Sequence, residues 1–330
     1  MLLIVAHHYV VNSGLFETNG PIYSNGFNAK SIFLLLFGMW GKTGINCFLM
    51  ITGYYMCKSS ISLKKLLRLL LEIYFYKFCI TSIFWITGYA PFSIKKLLLM
   101  LLPTTSVTTN FMGCYLLFYL TIPFLNILLN NIDKKQHRLL IGLCMLVYVV
   151  FGTFKRVLTV NMNYVSWFIV IYFVASYIRL RSEKVWDNEK LWNWLLFGLI
   201  VIDIVSVIGC FYISLRSGAH KAYYFVSDSN TFLALATGIA AFMVFRNLDL
   251  KYSRIINWFA SSTFGVLCIH ANSDTMRQWL WKDFLNCVGF YSSPWILVHA
   301  MGSVIGIFVV CVLIDKVRIK LFEKPLMARL

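Results

Sequence analysis

The feature that most limits what this chain of 330 residues can fold into is the length of its apolar blocks. They run for about 17–25 residues each, the length an α-helix needs to cross the hydrocarbon core of a bilayer. Charged residues make up 13% of the chain, where a soluble domain carries roughly 25%. The chain is 59% hydrophobic, with a mean hydropathy of +0.73. Trp, Tyr and Phe, 17% together, often sit near block ends, as interfacial anchoring requires. The fold class expected is therefore all-α: one polytopic membrane domain over 1–330. We place spans at about 1–16, 32–57, 66–88, 111–130, 138–154, 164–180, 191–214, 230–246, 255–272 and 293–315. The connections are short apart from 17–31, 88–110 and 273–292, and no repeat or low-complexity tract interrupts them. Within 88–110, Ser93 to Leu102 (SIKKLLLMLL) is amphipathic and expected to lie along the interface.

A net charge of +17 would by itself suit a nucleic-acid partner, but the basic residues are scattered through short loops instead of forming a patch or arm. That pattern orients spans, so no nucleic-acid partner is expected. One set of alternate loops carries nineteen Lys and Arg, the other nine, among them Arg277 and Lys282. The excess puts both termini in the cytoplasm and makes 17–31, 88–110, 155–163, 215–229 and 273–292 external. Nine cysteines without a CxxC pair, five of them (Cys79, Cys144, Cys210, Cys268, Cys311) inside apolar blocks, favour neither a disulfide framework nor a metal site.

A polar or ionisable side chain at membrane depth costs a few kcal/mol, roughly 2.5–3.5 for a charge on insertion scales, so each such residue needs a reason. The candidates are His7, His8, Lys42, Asn46, Glu72, Lys77, Asp203, His270, His299 and Asp315. Lys42 and Asp315 can be explained by reach to an interface. Asp203 has no neighbour in sequence and either bonds another helix or lines a cavity. His7 and His8 point about 100° apart on one helix, so only one of them can face a given cavity. An imidazole takes and gives a proton near neutral pH at the lowest cost of any membrane-embedded group. Packing histidines with satisfied hydrogen bonds are the competing explanation. Lys65, Arg68 and Glu72 follow i, i+3, i+7 spacing and share a helix face, where cations can meet lipid phosphate or the phosphates of a cytosolic cofactor.

Five segments in order resemble the acyltransferase-3 family of membrane acyltransferases. LIVAHHYVVNSGLF is similar to its opening helix, in which an Arg precedes a catalytic His with ten residues between. NCFLMITGYYM (46–56) resembles its F-x-x-x-x-G-Y pattern. SLKKLLRLLLEIYFY (62–76) resembles the basic entry to its third span, with Lys65 and Arg68 where the family has two arginines. FMGCYLLFYLTIPFLNILL (111–129) and SSTFGVLCIHANSDTMRQWLW (261–281) are similar to its fourth span and to its ninth span with the following loop. The resemblance implies transfer of an acyl group, usually acetyl from cytosolic acetyl-CoA, to a hydroxyl of a cell-envelope glycan or lipid-linked sugar. No metal is implied. It makes His8 the expected catalytic residue, with His7 beside it and Glu72 or Asn46 orienting the imidazole. Lys65 and Arg68 are expected at the cofactor phosphates, and Tyr115 and His270 on the substrate side. The expected location is the plasma or inner membrane, crossed many times. With His8 as the motif histidine, the motif Arg falls eleven residues earlier, before Met1. The first block is also short and lacks a basic flank, so the natural reading frame is expected to begin upstream.

Two other classes fit about ten spans. A carrier or flippase of lipid-linked sugars would show matched, broken helices in two related halves, and the sequence has no such repeat. A polysaccharide polymerase would carry a large external loop with arginines, and 88–110 and 273–292 hold few charges.

Overall fold

The structure is a computed structural model and describes residues 1–100, 111–154, 160–161 and 163–329. Lys155 and Arg156, and the end of the amphipathic segment at Leu101 and Leu102, lie outside the described residues. All regular structure among the described residues is helical. Six helical stretches are long and apolar enough to cross a membrane. They are Ala29–Met56, Leu63–Ile86, Phe111–Asn131, Lys134–Thr153, Glu189–Ser217 and Ile296–Ala328. Leu2–Val11, Tyr164–Leu180 and Phe232–Asn247 are shorter and also apolar. The segment expected along the interface is helical at Ile94–Met100, with Ile94 and Leu98 exposed.

Two expected spans are interrupted, and both interruptions serve the interior. The second divides into α2 (Ala29–Gly38) and α3 (Gly41–Met56), following α1 (Leu2–Val11). The break lies against His7: a Cβ on Gly41 would stand 2.3 Å from the Cβ of His7, so only glycine lets α1 approach this closely. The next helices are α4 (Leu63–Ile86), α5 (Phe111–Asn131), α6 (Lys134–Thr153), α7 (Tyr164–Leu180), α8 (Glu189–Ser217) and α9 (Phe232–Asn247). The expected ninth span is two helices, α10 (Arg254–Ala260) and α11 (Thr263–His270), separated at Ser261 and Ser262. The segment 273–292, expected as a loop, instead begins with α12 (Asp274–Arg277), which continues as a π-helical stretch to Phe284. Its Trp281 is fully buried. α13 (Ile296–Ala328) closes the chain.

α7 is the inner helix: residues 167 and 168, and 170 through 178, are all buried. It packs along α3, where a Cβ on Gly53 would come within 2.8 Å of the Ala175 Cβ. The Gly-Tyr pair of the resemblance is thus a close-packing device. The Tyr54 hydroxyl accepts from Arg179 at 3.0 Å and from Arg246 at 3.4 Å.

Loops expected on one face touch one another. Lys282 pairs with Glu17 at 2.8 Å, the Ala222 N–H donates to the Tyr23 hydroxyl at 3.2 Å, and Tyr89 bonds Asp283. Among the loops expected on the other face, Lys134 meets Glu183 at 3.2 Å, Arg246 meets Asp187 at 2.9 Å, and Arg68 meets Glu323 at 3.0 Å.

Candidate active site

Four elements converge on the middle of α1. His7 and His8 leave it in different directions, as helical geometry requires. The His7 Nδ1–H donates to the Gly38 carbonyl at 2.7 Å, at the break between α2 and α3. Its ring lies 6.3 Å from that of Tyr223. The His8 ring lies 5.0 Å from that of His270, at the end of α11. A carbonyl oxygen only accepts, so the nitrogen facing it must carry the proton. The Val266 carbonyl, 2.6 Å from His270 Nδ1, therefore leaves Nε2 of the neutral ring as the lone-pair nitrogen. His270 Nε2 and His8 Nδ1 are both buried and have no hydrogen-bond partner among the described residues.

His8 lines a largely enclosed cavity of about 90 Å³ with Ile4, Ile45, Met112, Tyr164, Leu267 and Arg277. Arg277 comes from α12. Its Nη1 holds Asp274 at 2.7 Å, while its buried Nε has no partner among the described residues. Trp281 fixes this element by packing edge-on against Tyr9 and His270. Lys42 stands on the far side of Tyr164, with Nζ 3.4 Å from its hydroxyl. The expectation that Lys42 reaches an interface is corrected here: it turns inward to this tyrosine.

The other expected site residues divide. Tyr115 lies on α5 one turn beyond Met112, parallel to Phe111 and tilted against Phe264, and its hydroxyl is 3.3 Å from Thr52. Asn46 is fully buried and spends its amide on the scaffold. It donates to the carbonyls of Ser229 at 2.8 Å and Ala234 at 3.1 Å, and accepts from Trp167 Nε1 at 3.0 Å. Glu72 faces Arg318 at 3.4 Å. Backbone carbonyls, and not Glu72 or Asn46, thus hold the Nδ1 atoms of His7 and His270. Lys65 and Arg68 are exposed near the turn of residues 57–62. Lys65 Nζ bonds Ser59 Oγ at 3.2 Å and the Ser60 carbonyl at 3.0 Å, and Arg68 pairs with Glu323. Lys77 is half-buried. The Tyr9 hydroxyl is 2.7 Å from His299 Nδ1.

Asp315 does not reach an interface. It is fully buried, accepting from Tyr76 at 2.7 Å and Arg318 Nε at 2.9 Å. Arg318 also holds Glu323 at 2.8 Å. A Cβ on Gly265 would stand 2.5 Å from Asp315 Oδ1, which reserves that position of α11 for glycine. Asp203 bonds another helix: it accepts from Thr237 Oγ1 of α9 at 2.7 Å.

Arg277 is the site residue that sequence reasoning missed, because its flanks read as loop. The paired arginine and tryptophan at helical spacing in DTMRQWLWKDF were the available signal. Among the described residues no group of three His, Cys, Asp or Glu could hold a metal ion. All nine cysteines are free thiols.

No curated protein and no solved structure matches the chain. A family model described as an acyltransferase domain, Acyl_transf_3, matches residues 1–315. With its apolar helices and its buried histidine pair, the chain is a membrane protein that belongs to the acyltransferase-3 family.

Proposed function

We propose that this protein moves a short acyl group, acetyl foremost, from cytosolic acyl-CoA to a hydroxyl of a cell-envelope polysaccharide or lipid-linked sugar. The observation that carries the reading is the His8–His270 contact beside Arg277 in an enclosed cavity. A sugar hydroxyl is a poor nucleophile and needs its proton removed as it attacks the thioester carbonyl. His8 takes that proton, or carries the acyl group transiently, and His270 is the adjoining lone-pair site. Arg277 supplies positive charge where the carbonyl oxygen becomes an oxyanion. The C–S bond then breaks and the thiol leaves with a proton. The cavity size favours a small acyl group, since one water occupies about 10–15 Å³ on the same measure.

Lys65 and Arg68, exposed near the other end of the bundle, are suited to the phosphates of the acyl-CoA. The orientation that fits is ten crossings with both termini in the cytoplasm of a plasma or inner membrane. Reaction of a cysteine introduced at position 186 with an impermeant reagent applied outside intact cells would overturn it. A sugar carrier is the weaker reading, because the family is one of acyltransferases. The deciding measurement is the mass of the envelope polysaccharide with and without the gene. Loss of one acetyl ester per repeat supports the proposal, and an unchanged mass opposes it.

A further inference from the structure

A second concavity, about 250 Å³ in volume, opens on the face where loops 12–28 and 218–231 meet. Phe16, Tyr223, Tyr224, His220, Lys221 and Ser227 are among the residues lining it. Its floor is Tyr223, stacked on Phe16 at 4.5 Å with 16° between the planes, and fixed by a hydroxyl bond to the Leu35 carbonyl at 2.8 Å. The exposed Tyr224 ring is held by its own hydroxyl bond to the Thr153 carbonyl at 3.1 Å. The edge-on contact of His220 with Tyr23, 4.5 Å between ring centroids, sets another wall. Lys221 and Ser227 are exposed beside these rings, and among the described residues no carboxylate lines the hollow. Lys221 forms no ion pair among the described residues.

We infer that this hollow is a binding subsite for an anionic sugar residue of the acceptor glycan, a deepening that rests on the acyl-transfer reading above. Rigid aromatic faces accept the C–H faces of a pyranose, hydroxyls meet its hydroxyls, and unpaired Lys221 meets its carboxylate. The floor lies close to the chemistry: the Tyr223 ring is 6.3 Å from that of His7, and the rings of His7 and His8 are 6.1 Å apart. The neighbouring hollow at Ser13, Glu17, Asn19 and Lys282 is a poorer fit, since Glu17 already neutralises its cation.

The test uses full-length protein in lipid nanodiscs, radiolabelled acetyl-CoA, and envelope glycan extracted from cells lacking the gene. Lys221→Ala and Tyr224→Ala alter exposed side chains and should each raise the acceptor KM about tenfold, the size of one lost ionic or aromatic contact. The KM for acetyl-CoA should stay within about twofold of wild type, since neither contact touches the donor. Unchanged acceptor KM values in both variants would overturn the subsite. D-Glucuronate should bind the protein saturably by isothermal titration, more tightly than D-glucose, and lose that advantage in Lys221→Ala. Equal binding of the two sugars would overturn the anion preference. Because this binding needs no turnover, absence of label transfer by the wild type would sink the acyl-transfer reading while leaving the subsite decided by the titration.

Discussion

The bundle buries two polar clusters, and they solve the problem of a dry interior in opposite ways. Around α4 and α13, opposite charges are gathered against one another, two arginines among three carboxylates: Arg318 meets Glu72, Asp315 and Glu323, Tyr76 donates to Asp315, and Arg68 meets Glu323 from outside. Around α1 and α11, the groups are imidazoles that can stay neutral, and each is held at no more than one nitrogen. His7 and His270 are held by backbone carbonyls, while His8 Nδ1 and His270 Nε2 are left over. Burying a charge is tolerable when opposite charges surround it, even with Asp315 Oδ2 left without a hydrogen-bond partner among the described residues, whereas an uncharged ring can be kept in reserve for a proton. The comparison separates what holds the fold from what is free to react.

The sharpest way to break that division is Arg318→Ala. It leaves Glu72 and Asp315 without their cation and Glu323 with Arg68 alone, and removing one partner of a buried ion cluster costs about 3–5 kcal/mol. The variant should lose most of its folded population, read as a fall in unfolding temperature in detergent. An unshifted transition would mean that the charged cluster is not structural.

His8→Ala is the complementary cut. It should lower acyl transfer about 10²–10⁴-fold, the usual worth of a positioned proton-transfer group, with the unfolding temperature nearly unchanged. His7→Ala should do the reverse, because it frees the Gly38 carbonyl and empties the space against Gly41; about 1–3 kcal/mol of stability is the scale of one buried group left unsatisfied. Equal loss of activity in both, at equal stability, would erase the distinction between the two histidines.

The smallest effect tests the exposed counterpart of these clusters. Glu183, in the loop after α7, accepts from Tyr177 at 2.5 Å and has Lys134 and Arg138 nearby. That hydrogen bond, with the two cations, holds its carboxyl below the ordinary range. A lowered folded-state pKa contributes stability above the unfolded value and loses it as the pH falls through the folded one. Glu183→Gln should therefore flatten the acid limb of a stability–pH profile slightly, by less than about 1 kcal/mol as for other exposed pairs. A large change would place this loop among the buried clusters.

Much of the scaffold was legible in the order of apolar blocks, because the bilayer sets span length and little else competes. Tyr164–Leu180 was placed to the residue. The two split spans were not foreseen. Their breaks answer to partners distant in sequence: Gly41 to His7, and Gly265, just beyond Ser262, to Asp315. The histidine pair stood out because imidazoles are rare in apolar runs. Arg277 did not, since a cation between two spans looks like loop charge until the chain is seen to turn back inward. Glu72 was recognised as anomalous, but its partner Arg318 was counted among the basic residues that orient the last helix.

The eight residues of α11 have a consequence for tolerance to insertion and deletion. His270 bonds the carbonyl four residues before it, so its ring turns with its helix as one body. Removing a single residue between Ser262 and His270 would rotate the ring by about 100°, since a helix has 3.6 residues per turn. No side-chain adjustment restores the meeting with His8, because the bond that would allow it is the one that fixes the ring. The interval from Gly265 to His270 is therefore a fixed phase, set at one end by the carboxylate it must clear and at the other by the imidazole it must face. Insertions and deletions in this part of the chain should be tolerated only in the turn before Thr263 and in the segments that follow Trp281.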